Sequence, residues 1–451
     1  MSEQLASHPH WELRFDEGGR LTAPARETFL GEAAGLTDLV VISHGWNSSD
    51  GEARALYESL FAGLAGFAGL AGFASRGGLG FAGVYWPSAW LPDPPVRARV
   101  AAGNAQSLTD VTPQPVADDL SGAELAELLR PGFADPEQRA TVERLGKLID
   151  DGVAGAAEAE PADAQRARLA EFHDLLGTLV PVAGTAVEDS GETSLLFAEA
   201  PESSYARLAE VFRVAGPGDS AQGFGGTFRN VWSGAKAGLR VFSYYTMKSR
   251  AGTVGQWGLG PLLAALHERS PATRVHLVGH SFGARLVSCA LAGLGPARTS
   301  PIRLLVLVQG AFSHFAFARA KDNPFGGAGA LNGVADRVRG PLVATFSEHD
   351  WAVCRWYPRA SFLAKQDAAG LGPRPDRWGA MGSDGFQAVD PAEDHELRPA
   401  GQDYGFRPGR YYRLDASGVI SDVKQSSFAG AHSDIRRPEV AWLLASAAGL
   451  T

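Results

Sequence analysis

The sequence predicts an α/β fold in which a mostly parallel central sheet is flanked by helices and carries a large helical insertion. Two observations predict it. Apolar, β-rich runs alternate with segments of helical spacing along most of the chain, which is typical of a parallel sheet covered on both faces. Residues 90–228 interrupt this alternation, because they are Pro-rich at first and then rich in Ala, Glu, Leu and Arg. We therefore expect a core made of residues 1–89 and 229–451, with 90–228 forming a helical cap.

The first part of the core contains two predicted strands and one helix. The strands cover residues 38–47 (DLVVISHGWN) and 78–88 (GLGFAGVYWPS), and a helix from about residue 51 to 73 lies between them. The apolar repeat FAGLAGFAGLAGFA inside this helix is shorter than the ~20 residues that a membrane span needs. We expect it to be a buried helix and no integral membrane segment.

The second part of the core repeats the same alternation. Four further strands are predicted at residues 274–280, 302–310, 340–350 and 409–420. Helices are expected at 281–294 and at 436–448, where Pro438 fits a first helical turn. The stretch from about 363 to 407 is rich in Gly, Pro and Asp and predicts an ordered long loop.

Composition and charge narrow the class of protein. The chain is 45% hydrophobic and 20% charged with a net charge of −9, and it shows no basic stripe of the kind that nucleic-acid-binding proteins carry. Cys289 and Cys354 have no metal-ligand spacing and cannot form a disulfide framework, which suits a reducing cytoplasm. The N-terminal MSEQLASHPHWELRF lacks the basic and apolar regions of a secretory signal. We therefore expect a cytoplasmic protein with no nucleic-acid partner.

A candidate nucleophile lies at the boundary between the predicted strand 274–280 and the helix after it. The segment Gly279-His280-Ser281-Phe282-Gly283 fits G-x-S-x-G in the strand-turn-helix context that this motif requires. The glycines remove Cβ atoms where strand and helix nearly collide, and they hold the serine in a strained turn with its hydroxyl exposed. The helix N-terminus at this position favours developing negative charge.

A serine nucleophile needs a base within hydrogen-bonding reach and an acid that orients the base. Asp350 ends the predicted strand 340–350 and is the first candidate acid, with Glu348 as its rival. His432 follows the last predicted strand and directly precedes the terminal helix, so it is the first candidate base. The other downstream histidines considered are His314, His349 and His395.

Acyl transfer also needs donors for an oxyanion. One is the backbone N–H after the nucleophile, at Phe282, and another comes from the loop after an earlier strand. The loop SHGWNSS (43–49) supplies Gly45, which permits unusual backbone conformations, and the N–H of Trp46. The competing interpretation of this loop is an ordinary tight turn.

With these residues the chain resembles the α/β-hydrolase superfamily, and in particular its lipase- and esterase-like members and uncharacterised bacterial hydrolases. His44-Gly45-Trp46, the pentapeptide around Ser281, Asp350 and His432 carry the resemblance, which runs from about Leu36 to the C-terminus except for the insertion. The cap departs from the family pattern, in which it is most often inserted after the strand that follows the nucleophile helix. The resemblance implies the α/β-hydrolase fold and a serine hydrolase that cleaves an ester through a covalent acyl-enzyme, with no metal or other cofactor.

Aromatic residues crowd the loops expected at the carboxyl ends of the strands, where α/β sheets bind ligands. They favour a small ester substrate with an apolar group, or else they pack under the cap. The candidate pocket residues are Trp86, Trp90, Phe312 and Trp351. Lys248 and Arg250 are further candidates for facing an anionic group. Ester, amide and thioester cleavage are not separated by these patterns, and a non-catalytic α/β-hydrolase-fold protein that binds a ligand or another protein is the alternative function.

Overall fold

The computed structural model describes residues 3–5, 8–70, 78–88, 120–133, 135–179, 200–213, 228–295, 299–356, 379–426 and 429–451. A single mixed sheet of ten strands runs through this part of the chain. The strands are β1 (Glu3–Leu5), β2 (His8–Phe15), β3 (Leu21–Ala23), β4 (Asp38–Ser43), β5 (Leu79–Tyr85), β6 (Arg274–His280), β7 (Ile302–Val308), β8 (Leu342–Phe346), β9 (Ala392–Glu396) and β10 (Tyr411–Asp415).

Helices cover both faces of the sheet. They are α1 (Arg26–Ala33), α2 (Asp50–Leu70), α3 (Gly122–Leu129), α4 (Pro136–Ala157), α5 (Ala162–Leu179), α6 (Pro201–Arg213), α7 (Phe228–Thr253), α8 (Gly260–Arg269), α9 (Phe282–Gly293), the single turn α10 (Met381–Asp384) and α11 (Pro438–Ala448). Within the described ranges, no helix is both long enough and apolar enough to cross a membrane.

The strand order reverses its direction at one point of the sheet. The order is β1-β2-β5-β4-β6-β7-β8-β10-β9, with β3 beside β2, and the pairs from β2 through to β9 are parallel. From β4 the chain first moves to β5 on one side and then returns across β4 to β6 on the other side. In α/β proteins, ligands bind in the crevice outside the carboxyl ends of the strands at such a switch point, which here lies between β4 and β6.

The central strands are buried on both faces, as a parallel sheet requires. In β4, Leu39 and Val41 enter the core that contains α1, α7, α8 and α9. Val40 and Ile42 point to the opposite core, which α2 and α11 cover. This alternation follows from the two-residue period of a strand, and it explains why the strand appears in the sequence as a continuous apolar run.

The predicted strands of the core are present, and the sheet extends beyond them. The strands β1 to β3 and the strand β9 were not predicted. β2 contains two histidines, a glutamate and an arginine, and β9 has the sequence AEDHE, so neither shows the apolar run that predicts a buried strand. β9 lies within the stretch that was expected to be a loop. It forms the edge of the sheet and pairs with β10 on one side.

Helices α3 to α6 fall inside the predicted insertion and pack against each other and against α7. A Cβ on Gly122 would lie 2.1 Å from the carbonyl oxygen of Gly146, and one on Gly234 would lie 1.7 Å from that of Tyr205, so these helices approach each other backbone to backbone. Trp232 of α7 covers Gly152 of α4. The prediction that this helical layer is a cap over the crevice stays a prediction.

A long helical run continues from α7 into α8 through the π-helical segment Val254–Leu259. Residues 252–260, which include this segment, are rich in glycine, and these glycines allow close packing of helices. A Cβ on Gly255 would lie 2.1 Å from the carbonyl oxygen of Leu286, and one on Gly260 would lie 2.5 Å from that of Ala290. Helix α9 is thereby held from behind by the backbone of the long run.

Candidate functional site

Ser281 occupies a strained turn between β6 and α9. Its backbone has φ 57° and ψ −124°, a conformation that a residue with a Cβ adopts rarely and at a cost of about 1–3 kcal/mol. The two glycines make this turn possible. A Cβ on Gly279 would lie 2.3 Å from the carbonyl oxygen of Gly283, and one on Gly283 would lie 2.2 Å from that of Ser43. The strand, the helix and the end of β4 therefore meet around this serine.

The loop after β4 lies directly against Ser281. A Cβ on Gly45 would lie 2.5 Å from Ser281 Cβ and 3.1 Å from its Oγ, so only glycine fits here without displacement. His44 Nδ1 donates to the carbonyl oxygen of Gly45 (2.9 Å). Because the C=O and N–H of a trans peptide point in opposite directions, the N–H of Trp46 points away from the His44 ring. Phe282, as the first residue of α9, has no acceptor for its N–H within the helix.

His44 is a neutral side chain in this arrangement. Burial lowers its pKa to about 4, and its ring stacks on Trp86 at 5.7 Å and 9°. Trp86 in turn donates its indole N–H to the carbonyl oxygen of His44 (3.2 Å). The two stacked rings therefore hold the backbone of residues 44 and 45 through their hydrogen bonds.

His432 and Asp350 form a direct hydrogen bond. His432 Nδ1 lies 2.7 Å from Asp350 Oδ2, and Asp350 is fully buried. The same carboxylate oxygen accepts Gln309 Nε2 (2.9 Å), and Oδ1 accepts the backbone N–H of Val353 (3.2 Å). A buried carboxylate needs such donors to offset the loss of water. Because Nδ1 is bound to the acid, Nε2 is the nitrogen of His432 that can accept a proton.

The loops that carry this acid and this base are joined to each other. The backbone N–H of Trp351 donates to Ala429 (3.1 Å), and that of Ala431 donates to His349 (2.9 Å). These bonds form an antiparallel bridge between Asp350 and Gly430. The pair of side chains is therefore fixed by its backbone as well as by its own hydrogen bond.

The serine lies on the same edge of the sheet as this pair. The N–H of Ser281 donates to the carbonyl oxygen of Val308 (3.1 Å), and the next residue after Val308 is Gln309, which holds Asp350. The exposed fractions of Ser281 and His432 are 5% and 9%. Within the described ranges, Ser281 Oγ makes no hydrogen bond, and His432 Nε2 makes none either.

No family model, curated protein or solved structure matches this chain.

The rival acid and the other histidines lie elsewhere. The side chain of Glu348 is 77% exposed and approaches His349 at 3.7 Å, whereas Asp350 binds His432. His314 pairs with Asp384 (2.6 Å), and His395 lies 3.6 Å from Glu393. No group of three or more His, Cys, Asp or Glu side chains in the described part of the chain is arranged to hold a metal ion.

The predicted pocket residues differ in position. Trp86 is buried behind the Gly45 loop, and Phe312 is fully enclosed in the core next to α10, where its carbonyl oxygen accepts the N–H of Met381. Trp351 is half-buried and packs over Gly430, whose Cβ would lie 2.9 Å from the indole ring. Trp90 lies outside the described residues.

Neither basic candidate is a free surface charge. Lys248 is buried. The guanidinium of Arg250 donates to the carbonyl oxygens of Pro87 (2.9 Å) and Gly132 (3.1 Å), and burial lowers its pKa. Arg250 thus links α7 to the chain after β5 and to the end of the α3 region.

Two residues of the site were missed by the sequence analysis. Gln309 holds Asp350 through Nε2, and its Oε1 accepts the hydroxyl of Thr345 (3.1 Å). A polar residue directly after the apolar run of β7 is the signal that points to it. His280 is the second missed residue, and it lies inside the motif that identified Ser281.

Proposed function

We propose that this chain is a serine hydrolase with an α/β-hydrolase fold that cleaves a carboxylic ester, with Ser281 as nucleophile, His432 as general base and Asp350 as orienting acid. The observation that carries the proposal is the 2.7 Å bond between His432 Nδ1 and Asp350 Oδ2 at the edge of the sheet where Ser281 occupies its strained turn. Nucleophile, base and orienting acid are the parts that serine hydrolysis requires.

Each residue has a defined role in the proposed reaction. Ser281 Oγ attacks the ester carbonyl carbon while His432 Nε2 takes the hydroxyl proton. Asp350 keeps the remaining proton on Nδ1 and stabilises the imidazolium. The tetrahedral intermediate then expels the alcohol, which receives the proton from Nε2. Water, activated by His432 in the same way, hydrolyses the acyl-enzyme and restores Ser281.

Two backbone N–H groups support the negative charge of the intermediate. Phe282 N–H has no acceptor inside α9, and the His44 to Gly45 hydrogen bond turns the N–H of Trp46 away from the His44 ring. Neither Trp46 N–H nor Phe282 N–H has a hydrogen-bond acceptor among the described residues. Losing one such donor typically costs about 10²–10³ in kcat.

An apolar acyl group fits the side chains next to the serine. The Trp46 ring lies 5.9 Å from Phe282 and 6.2 Å from Tyr244, and Tyr244 lies 5.2 Å from Phe282. In this cluster Phe282 and Tyr244 are buried, and Trp46, in the same loop as Gly45, is the partly exposed ring. We propose that the acyl chain of the ester packs against it and that the helices of the insertion cover the crevice.

The test is labelling by a fluorophosphonate probe, which forms a stable bond only with an activated serine. We expect labelling of the native chain and its loss in Ser281→Ala. Ser288→Ala is the matched control, because Ser288 is a buried serine on α9 whose hydroxyl binds the carbonyl oxygen of Ala284 (2.8 Å). Labelling that persists in Ser281→Ala, or a folded native chain that does not react, contradicts the proposal.

A binding protein of the same fold is the second candidate. The observation that favours it is the absence of a hydrogen bond between Ser281 Oγ and His432 Nε2 within the described residues. Catalytic hydrogen bonds are often long before substrate binds, so we place hydrolysis first. The binding function predicts that His432→Ala leaves the biological activity unchanged.

A further inference from the structure

His280 connects the nucleophile strand to the loop that carries His432. It is the last residue of β6 and directly precedes Ser281. Its Nε2 lies 2.9 Å from the backbone carbonyl oxygen of His432, and the two imidazole rings are 4.8 Å apart. A carbonyl oxygen only accepts, so Nε2 of His280 carries the proton.

This hydrogen bond has no substitute among the described residues. Between the turn 279–283 and the segment 429–434, the structure describes no other hydrogen bond. The bond between Asp350 and His432 fixes the base to β8 and its loop, not to the strand of the nucleophile. His280 therefore makes the direct hydrogen bond between the nucleophile turn and the segment of the base, whereas the route through Val308, Gln309 and Asp350 is indirect.

The protonation state of His280 suits this role. Burial, and after it the neighbouring His432, lower the pKa of His280 to about 3. The ring therefore stays neutral at neutral pH and keeps a single tautomer, with the proton on Nε2. A neutral neighbour also avoids repulsion when the imidazole of His432 becomes charged during the proposed reaction.

We propose that His280 is a positioning residue that fixes the segment of His432 to the nucleophile strand, next to Ser281, and so sets the approach of the base to Ser281 Oγ when substrate is bound. The inference rests on the proposed hydrolase function. It predicts that His280 acts on the rate of the chemical step and not on the binding of substrate, since the hydrogen bond of its side chain goes to the backbone of the base.

Three variants separate this role from simple packing. His280→Ala removes the donor, and we expect kcat for p-nitrophenyl ester hydrolysis and the rate of fluorophosphonate labelling to fall about 100-fold, the typical cost of a 1 Å misplacement, with KM unchanged. His280→Gln places an amide N–H near the position of Nε2, and we expect a rate within about threefold of the native rate. His280→Asn keeps an amide that is too short to reach the carbonyl, and it should behave as the alanine variant does.

His276→Gln is the matched control. His276 lies four residues earlier in β6, is equally enclosed, and also uses Nε2, which binds Asp38 at 2.8 Å at the opposite end of the strand. Its substitution tests the effect of disturbing a buried histidine of β6 away from the crevice. We expect a lower melting temperature with native kcat.

The outcomes distinguish the two proposals. A folded native chain that does not react with the probe overturns the hydrolase function itself. A native chain that reacts, together with His280→Ala at the native rate, overturns the role of His280 alone. A glutamine variant as slow as the alanine and asparagine variants, all with native melting temperatures, also overturns it, because the donor would then be irrelevant.

Discussion

Replacing Gly45 by alanine tests the closest contact in the site. The added Cβ would lie 2.5 Å from Ser281 Cβ. Non-bonded carbon atoms normally approach to about 3.5–4.0 Å, so the methyl group has to move, or displace the serine, by about 1 Å. Ser281 has little room to yield on the other side, because the backbone around Gly279 and Gly283 is already packed against the helix and β4.

The expected cost is larger for activity than for stability. A displacement of about 1 Å at a reacting centre reduces the rate by about 100-fold. Overpacking of a well-packed site costs about 1–3 kcal/mol in the free energy of unfolding. We therefore expect Gly45→Ala to stay folded and to react with a fluorophosphonate about 100-fold more slowly than the native chain.

The assay compares labelling rates and urea unfolding for three chains: native, Gly45→Ala and Gly66→Ala. Gly66 lies in α2, and a Cβ there meets no atom within 4 Å, so this control adds the same methyl group without a clash. We expect the control to label at the native rate. A Gly45→Ala chain that labels as fast as the control would refute the reasoning, since the contact with Ser281 would then have no effect on its reactivity.

Three further perturbations test other contacts of the chain. Asp350→Asn should reduce the rate of fluorophosphonate labelling by about 10⁴-fold, because an amide cannot hold the correct tautomer of the base. Glu348→Gln, at an exposed position, should label at the native rate. Equal labelling rates in the two variants would contradict the assignment of Asp350 as the acid. Gly63→Ala places a methyl group 2.7 Å from the Cβ of Ala441 in α11 and should lower the free energy of unfolding in urea by about 1–3 kcal/mol. Gly66→Ala should raise it by about 0.5–1 kcal/mol through helix propensity. A change of the same sign in both variants would contradict the described packing of α2. Below pH 6.5 the unfolded chain protonates His44 while the folded chain, with a pKa of about 4, does not. Stability should therefore be lost as the pH falls from 6.5 to 4, by about 1.4 kcal/mol per pH unit, and His44→Gln should show a correspondingly shallower loss of unfolding free energy over this range.

The strands that form the centre of the sheet were predictable because burial on both faces leaves a clear trace in the sequence. β4, β6 and β7 are short apolar runs, and β6 also ends in the turn motif that contains Ser281. β9 has no apolar run, because the backbone hydrogen bonds of an edge strand form equally well in a charged segment. A pattern of hydrophobicity predicts burial and says little about strands at an edge.

The site was predictable to the extent that chain order restricts it. Asp350 follows a strand and His432 precedes the last helix, and these positions predicted the first as the acid and the second as the base. The contact of His280 with the His432 carbonyl was not predictable, because it joins residues 152 positions apart through a backbone atom. Gln309 was missed for a similar reason, because no sequence spacing predicts which side chain will donate a hydrogen bond to the carboxylate of Asp350.

The backbone-to-backbone packing of α9 against the π-helical segment has a consequence for how this protein can vary. Because Gly255 and Gly260 touch the carbonyl groups of α9, a side chain added at either position would push the whole helix, and Ser281 with it, toward the crevice. Mutational scanning of the chain should therefore find these two glycines as intolerant as the residues around the serine. Under the proposed hydrolase function, new substrate preferences would then have to arise through the loops, with the rear of the helix unchanged.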